Sequence, residues 1–206
     1  MNKKLILING LKRSGKDFSA DLFRKYLGEN KCRNISFAEP IKDIISKTFN
    51  ITKKELDEYK NDTEGYGLEL NAYPNNQPTC NIKYINFREI LQNFGSEAMM
   101  SNFGIDVWAD LGIKKVQEAK KEWIIITDFR FLSEYKKALE SSQKYNYSVI
   151  TINVFNNDLN TDDLHISERN LSDNNFAFDY YINNTSQPDI TEKIKSIIKS
   201  INEKQI

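Results

Sequence analysis

The sequence predicts an α/β fold built on a mainly parallel sheet. Short apolar runs alternate along the chain with stretches of helical spacing. Two of the runs, Leu5–Ile8 and Trp123–Ile126 (followed by Thr127), are continuously apolar, as in strands buried on both faces. The second run ends in Asp128, at the carboxyl edge where open α/β sheets hold their ligands.

The elements follow in order. Lys4 to Asn9 reads as the first strand and stops at Gly10. From Lys16 the spacing turns helical, with Phe18, Leu22, Phe23, Tyr26 and Leu27 on one face and Gly28 as the stop. Arg33 to Phe37 is the second strand, and Pro40 opens a helix with Ile41, Ile44 and Ile45 on its face. Residues 52–60 form a short charged helix, whereas 61–83, rich in Asn, Gly, Tyr and Pro, read as a surface loop or small subdomain. Phe87 to Phe103 is helical with Ile90, Leu91, Phe94 and Ala98 as the apolar face, and Asp106 caps a helix to about Lys120. A strand at 123–127, a helix at 133–144 and a strand at 148–154 follow. After the polar, irregular stretch 156–175 come a short fifth strand at Tyr180–Ile182 and a last helix from Pro188, striped by Ile190, Ile194, Ile197, Ile198 and Ile201.

A chain of 206 residues buries one substantial core, so one domain with an insertion is expected. Formal net charge is zero, which gives no basic footprint for a nucleic-acid polymer. The N-terminal apolar run is too short for a signal peptide, and no stretch approaches membrane-spanning length. Cys32 and Cys80 are far apart and form no CxxC; two buried or free thiols of a reducing cytosol is a better reading than one chance disulfide.

Gly10-Leu11-Lys12-Arg13-Ser14-Gly15-Lys16 has two glycines separated by four residues and followed by lysine, the P-loop spacing. A buried strand before it and an amphipathic helix after it supply the required context. The glycines let the backbone turn N–H groups toward a phosphate, and the helix adds its positive dipole end. Lys16 reaches the outer phosphates of a donor such as ATP, and Lys12 and Arg13 add local positive charge. Asp17 stands where Ser or Thr usually meets Mg²⁺; a carboxylate also suits that cation, directly or through water, and the alternative is that it orients Lys16 or a substrate group.

Three further signals are weaker. Asp128, ending its strand, is a candidate for Mg²⁺ or a substrate hydroxyl, and Arg130 for bidentate phosphate binding. Alone, the pair reads as a helix cap and a surface arginine; beside a P-loop the functional reading takes precedence. Arg88 and Gln92 share a helix face and could read a phosphate and a base edge, although a solvated face has the same pattern. His165, the sole histidine, suits a loop or nucleotide-edge role better than general-base catalysis, because phosphoryl transfer to a phosphate oxygen needs little proton abstraction.

With these residues in place, the chain resembles the bacteriophage-type deoxynucleoside monophosphate kinases. The resemblance rests on GLKRSGKD at 10–17, FREILQNFGSEAMMSNFGIDVWAD at 87–110, TDFRFLSE at 127–134 and HISE at 165–168, in the family's order. The Asp after the P-loop lysine is usual in that family. The loop itself is shared with animal-type phosphomevalonate kinases, whereas the 87–110 segment is specific to the nucleotide kinases.

The resemblance implies a nucleoside monophosphate kinase-like fold: a five-stranded parallel core with flanking helices, an acceptor-binding insertion and a lid. It places the core at 1–39, 121–154 and 176–206, the insertion at about 40–120 and the lid or donor-base region at about 155–175. It implies transfer of the ATP γ-phosphoryl group to a deoxynucleoside monophosphate with Mg²⁺. Gly10, Lys12, Arg13, Ser14, Gly15, Lys16, Asp17, His165 and Arg169 would face the donor, and Lys42, Arg88, Gln92, Asp128, Arg130 and Glu134 the acceptor. Lys16, Arg13, Asp17, Asp128 and Arg130 would carry catalysis, with Asp17 and Asp128 toward the metal. A homodimer is the expectation from the phage relatives, in the host cytoplasm if the chain is phage-encoded. One departure stands out: family members usually carry a basic residue soon after the fourth strand, and 153–163 holds neither Lys nor Arg, leaving Arg169 nearest. The competing readings are a phosphomevalonate kinase-like enzyme and a nucleotide binder without turnover. A GTPase switch is disfavoured by the lack of an Asn-Lys-x-Asp motif.

Overall fold

In the computed structural model the described residues are 3–60, 86–156, 171, 176–185 and 187–203. In chain order the elements are β1 (Lys4–Asn9), α1 (Lys16–Leu27), β2 (Cys32–Ile35), α2 (Glu39–Thr48), α3 (Lys53–Tyr59) and α4 (Phe87–Gln92). The helix of α4 continues as a π-helical stretch, Asn93–Met100, and a closing turn, α5 (Ser101–Phe103). Then come α6 (Val107–Glu118), β3 (Trp123–Ile126), α7 (Leu132–Tyr145), β4 (Ser148–Phe155), β5 (Tyr180–Asn183) and α8 (Gln187–Glu203). The chain divides into two compact units, Met1–Phe37 with Trp108–Ile206, and Ala38–Val107.

The first unit is a five-stranded sheet in the order β2-β3-β1-β4-β5, every pairing parallel. Register is set along β1: Lys4 lies opposite Trp123 and Ser148, and Leu7 opposite Ile126 and Thr151. Alternate side chains of β1 enter different cores. Ile6 and Ile8 pack with Ala20 and Phe23 of α1 and with Ile190, Ile194, Ile197 and Ile201 of α8. Leu5 and Leu7 pack with Ile113 and Val116 of α6 and Ala138 of α7. Burial on both faces explains why the strand sequence is apolar without alternation. At the opposite end of the sheet from the loops, Lys4 is buried with its ammonium 4.3 Å from the centre of the Trp123 ring.

The α1 face is rotated relative to the sequence reading. Ser19, Ala20 and Phe23 are buried and Leu22 and Leu27 pack beside them, while Phe18 and Tyr26 are 39% and 36% exposed. Helical spacing located the stripe, but the large aromatics lie on its rim and the small Ala20 faces the sheet. β2 ends at Ile35, short of Phe37, because the Ser36 hydroxyl and Phe37 N–H turn to the Asp128 carboxylate. Cys32 is a buried free thiol, and burial raises its pKa. Cys80 lies outside the described residues.

The second unit gathers α2 to α5. Thr52 and Glu55 form a reciprocal capping box at the start of α3. Phe87 is buried, edge-on to Phe49 at 5.4 Å and stacked with Tyr59 at 6.0 Å between ring centres. The π-helical winding of Asn93–Met100 shifts the periodicity, so Gly95 is buried and Ala98 exposed, the reverse of the α-helical face expected for Ala98. Among the described residues no helix is long and apolar enough to cross a membrane.

Candidate functional site

The loop from Gly10 to Gly15 joins the carboxyl end of β1 to the amino end of α1. Its path demands glycine at both ends. A Cβ on Gly10 would meet the Val154 carbonyl oxygen at 2.4 Å, so the loop rests against the end of β4. Gly15 adopts φ 91°, and a Cβ there would meet Asn184 Nδ2 at 2.0 Å. Arg13 has φ 68°, the left-handed region that L-residues other than Gly, Asn and Asp seldom enter. Left-handed residues interleaved with right-handed ones turn successive N–H groups toward a single anion.

Inside the loop, Ser14 N–H donates to the Leu11 carbonyl at 3.1 Å, and the Lys16 ammonium donates to the same oxygen at 3.1 Å. Lys16 therefore lies folded across the loop. Ser14 is fully buried and its hydroxyl has no partner among the described residues. Lys12, Arg13 and Asp17 are exposed, with Asp17 in the first turn of α1, where the helix dipole favours a negative charge.

The end of β3 forms a second cluster. Asp128 accepts from Ser36 Oγ at 2.5 Å and from Phe37 N–H at 3.0 Å, tying the ends of β2 and β3 together. Asn9, the last residue of β1, donates through Nδ2 to the Phe129 carbonyl at 2.8 Å. Thus the 127–130 segment is fastened to the strand that carries the phosphate loop. Arg130 is half-buried. Its backbone N–H and that of Phe131 donate to Glu134 Oε2 at 2.7 and 2.9 Å. Glu134 is only 6% exposed. Burial raises its pKa to about 8, against the opposing pull of those two amides. Its carboxyl organises the backbone at the start of α7, directly behind Arg130.

Within the second unit, Lys42 donates to both oxygens of Asp57 at 2.8 and 3.1 Å. Lys60 also bonds Asp57. Burial disfavours the Asp57 charge, but the hydrogen bonds from Lys42 and Lys60 outweigh it and hold its pKa below the ordinary value. Arg88 is half-buried and Gln92 exposed, both on α4, where the Asn86 side chain accepts from the Arg88 backbone N–H at 2.8 Å. His165 and Arg169 lie outside the described residues.

Three residues of this arrangement carry no signal in local sequence: Asn9, Ser36 and Asn184. Each acts on a partner distant in the chain. Asn184 follows β5 and donates through Nδ2 to the Ser14 carbonyl at 2.7 Å. Its only advance mark is an amide residue just after a strand at the carboxyl edge of the sheet.

The loop fits a nucleotide polyphosphate, since its glycines, left-handed Arg13 and folded Lys16 form a cradle of N–H groups and positive charge. Among the described residues no group of three or more His, Cys, Asp or Glu could hold a metal alone. An Mg²⁺ ion carried by the nucleotide would take most of its ligands from phosphate oxygens and water.

The family model for deoxynucleotide monophosphate kinases matches residues 4–72, consistent with a deoxynucleoside monophosphate kinase of the P-loop type. No curated protein matches the chain. Among solved structures, dephospho-CoA kinase from Campylobacter jejuni is similar at 16% identity and TM-score 0.50, covering 98% of this chain and 100% of that one. Shikimate kinase from Acinetobacter baumannii in complex with shikimate shows 11% identity and TM-score 0.48, over 100% and 96% of the two chains. The APS kinase of Mycobacterium tuberculosis shows 10% identity and TM-score 0.45, over 98% of each. At 16% identity the likeness to the dephospho-CoA kinase speaks to the fold alone, a parallel sheet with flanking helices. The family match and the loop together support a phosphotransferase acting on a nucleotide or another small molecule.

Proposed function

We propose that this chain transfers the γ-phosphoryl group of ATP to a deoxynucleoside monophosphate, giving the diphosphate and ADP. The observation that carries the reading is the loop at the end of β1, with Lys16 folded over its own cradle at the start of α1. The match of residues 4–72 to the deoxynucleotide monophosphate kinase family model supports this acceptor class.

An oxygen of the acceptor phosphate attacks the γ-phosphorus in line, and the β–γ bridging bond breaks to release ADP. The work is positioning and neutralisation of charge rather than proton abstraction. Lys16 and Arg13 draw charge from the transferring group, with Lys12, Ser14 and the loop glycines holding the donor. Arg130, aimed from the Glu134-capped turn, takes a phosphate through its guanidinium fork. Mg²⁺ bound with ATP would neutralise charge on the donor phosphates, and Asp17 and Asp128 are the carboxylates proposed to face it. We assign acceptor binding to the second unit through Lys42, Arg88 and Gln92, and the donor-base or lid role to about 155–175 with His165 and Arg169.

The test is an acceptor panel. Purified protein with ATP and Mg²⁺ is given each deoxynucleoside monophosphate, the ribonucleoside monophosphates and phosphomevalonate, and ADP is followed. At least one deoxynucleoside monophosphate should give turnover. Turnover with phosphomevalonate alone would transfer the site to the other kinase class.

A further inference from the structure

Asn184 lies at the far edge of the sheet from β2, yet its side chain reaches the phosphate loop. Its backbone N–H donates to the Phe155 carbonyl at 2.7 Å, which fixes the residue to the end of β4. Its side-chain amide then donates to the Ser14 carbonyl at 2.7 Å, across 170 residues of sequence. The approach is so close that only glycine fits at position 15, where a Cβ would lie 2.0 Å from Nδ2. Glycine 15 thus serves two needs, the left-handed turn and room for this contact.

The consequence follows from the planarity of the peptide bond. In a trans peptide the carbonyl and the next N–H point in opposite directions. Holding the Ser14 carbonyl toward Asn184 therefore aims the Gly15 N–H away from it. Among the described residues that N–H donates to no backbone carbonyl. The Ser14 side chain does not itself fix the peptide, since its buried hydroxyl has no partner among the described residues.

We propose that Asn184 is a positioning residue for the donor loop: it fixes the Ser14–Gly15 peptide so that the Gly15 N–H is ready for a phosphate oxygen before the nucleotide arrives. This rests on the donor-site reading of the loop. Without the amide, the peptide can rotate, and the loop must be ordered at the expense of donor binding.

Initial rates on the full chain, with both substrates varied, test it through Asn184→Ala and the nearly isosteric Asn184→Asp. Loss of one hydrogen bond should raise the KM for ATP about three- to tenfold in Asn184→Ala. Asn184→Asp should be worse, because a carboxylate would face the Ser14 carbonyl and lie near the donor phosphates. The acceptor KM should stay within about twofold of wild type, since the loop serves the donor. Unchanged ATP KM in both variants overturns the inference while leaving the kinase reading intact. An equal rise in both substrate constants assigns Asn184 to general stability and also overturns it. A wild-type protein that neither binds nor consumes ATP overturns the donor-site reading, and this inference with it.

Discussion

Lys16 is half-buried, and its ammonium is already hydrogen-bonded to the loop that would hold the donor. Lys16→Ala should lower phosphoryl transfer by about 10²- to 10³-fold, as expected for removal of one preorganised charge donor. The free energy of unfolding should change by no more than about 0.5 kcal/mol, because no core cavity opens. Steady-state rates and thermal unfolding of the same preparation check both halves. Glu134 makes a prediction of the opposite kind. Its folded pKa is raised to about 8 by burial, so the folded state holds a proton that the unfolded chain releases near the ordinary carboxyl range. The stability tied to that proton is present at low pH and lost as pH rises toward about 8. Glu134→Gln keeps an acceptor for the Arg130 and Phe131 amides without the titration. The melting temperature of wild type should therefore fall relative to Glu134→Gln between pH 5 and pH 8, and parallel curves would refute the buried-acid reading. The loop itself was legible because its spacing is local: Gly10, Gly15 and Lys16 mark the turn from β1 into α1 within seven positions. Glu134 reads in sequence as a substrate ligand, and nothing local shows that its carboxyl is turned to the amides behind Arg130. Asn184 was hidden because its partner is 170 residues away.

Elements were legible wherever apolar spacing was strong. β1 and the isoleucine stripe of α8 lie where the pattern puts them, with Ile190, Ile194, Ile197 and Ile201 buried. The pattern failed where packing depends on a small residue or an unusual winding. Ala20 faces the sheet while Phe18 and Tyr26 sit at the rim, and the π-helical turn at Asn93–Met100 buries Gly95 in place of Ala98. Gly112 is the sharpest case. It sits inside α6, where glycine is unfavourable by about 1 kcal/mol relative to alanine. A Cβ there would meet the Phe37 ring at 2.4 Å. Phe37 is itself buried and held at its backbone by Asp128, so the ring has little room to retreat. Gly112→Ala should destabilise by about 1–3 kcal/mol despite the better helix propensity. Urea unfolding would show it, and a stabilised variant would mean the ring moves freely.

At the scale of the molecule, the α/β class and the parallel sheet were readable because continuous apolar strands alternating with amphipathic helices have few other solutions. The strand order β2-β3-β1-β4-β5 was not, since it depends on which strands become neighbours across long crossovers. That order brings the ends of β1 and β3 side by side, so the phosphate loop and the Asp128–Arg130 segment share one edge. The Asn9 and Ser36 hydrogen bonds then fasten the edge together. The activity proposed for this edge is transfer of a phosphoryl group onto a nucleotide. The most direct measurement is the acceptor panel run with γ-labelled ATP and Mg²⁺, separating products from wild type and Lys16→Ala. Label should appear in a deoxynucleoside diphosphate in step with ADP, and Lys16→Ala should form neither at a comparable rate. No labelled diphosphate from any deoxynucleoside monophosphate, with ATP intact, would contradict it.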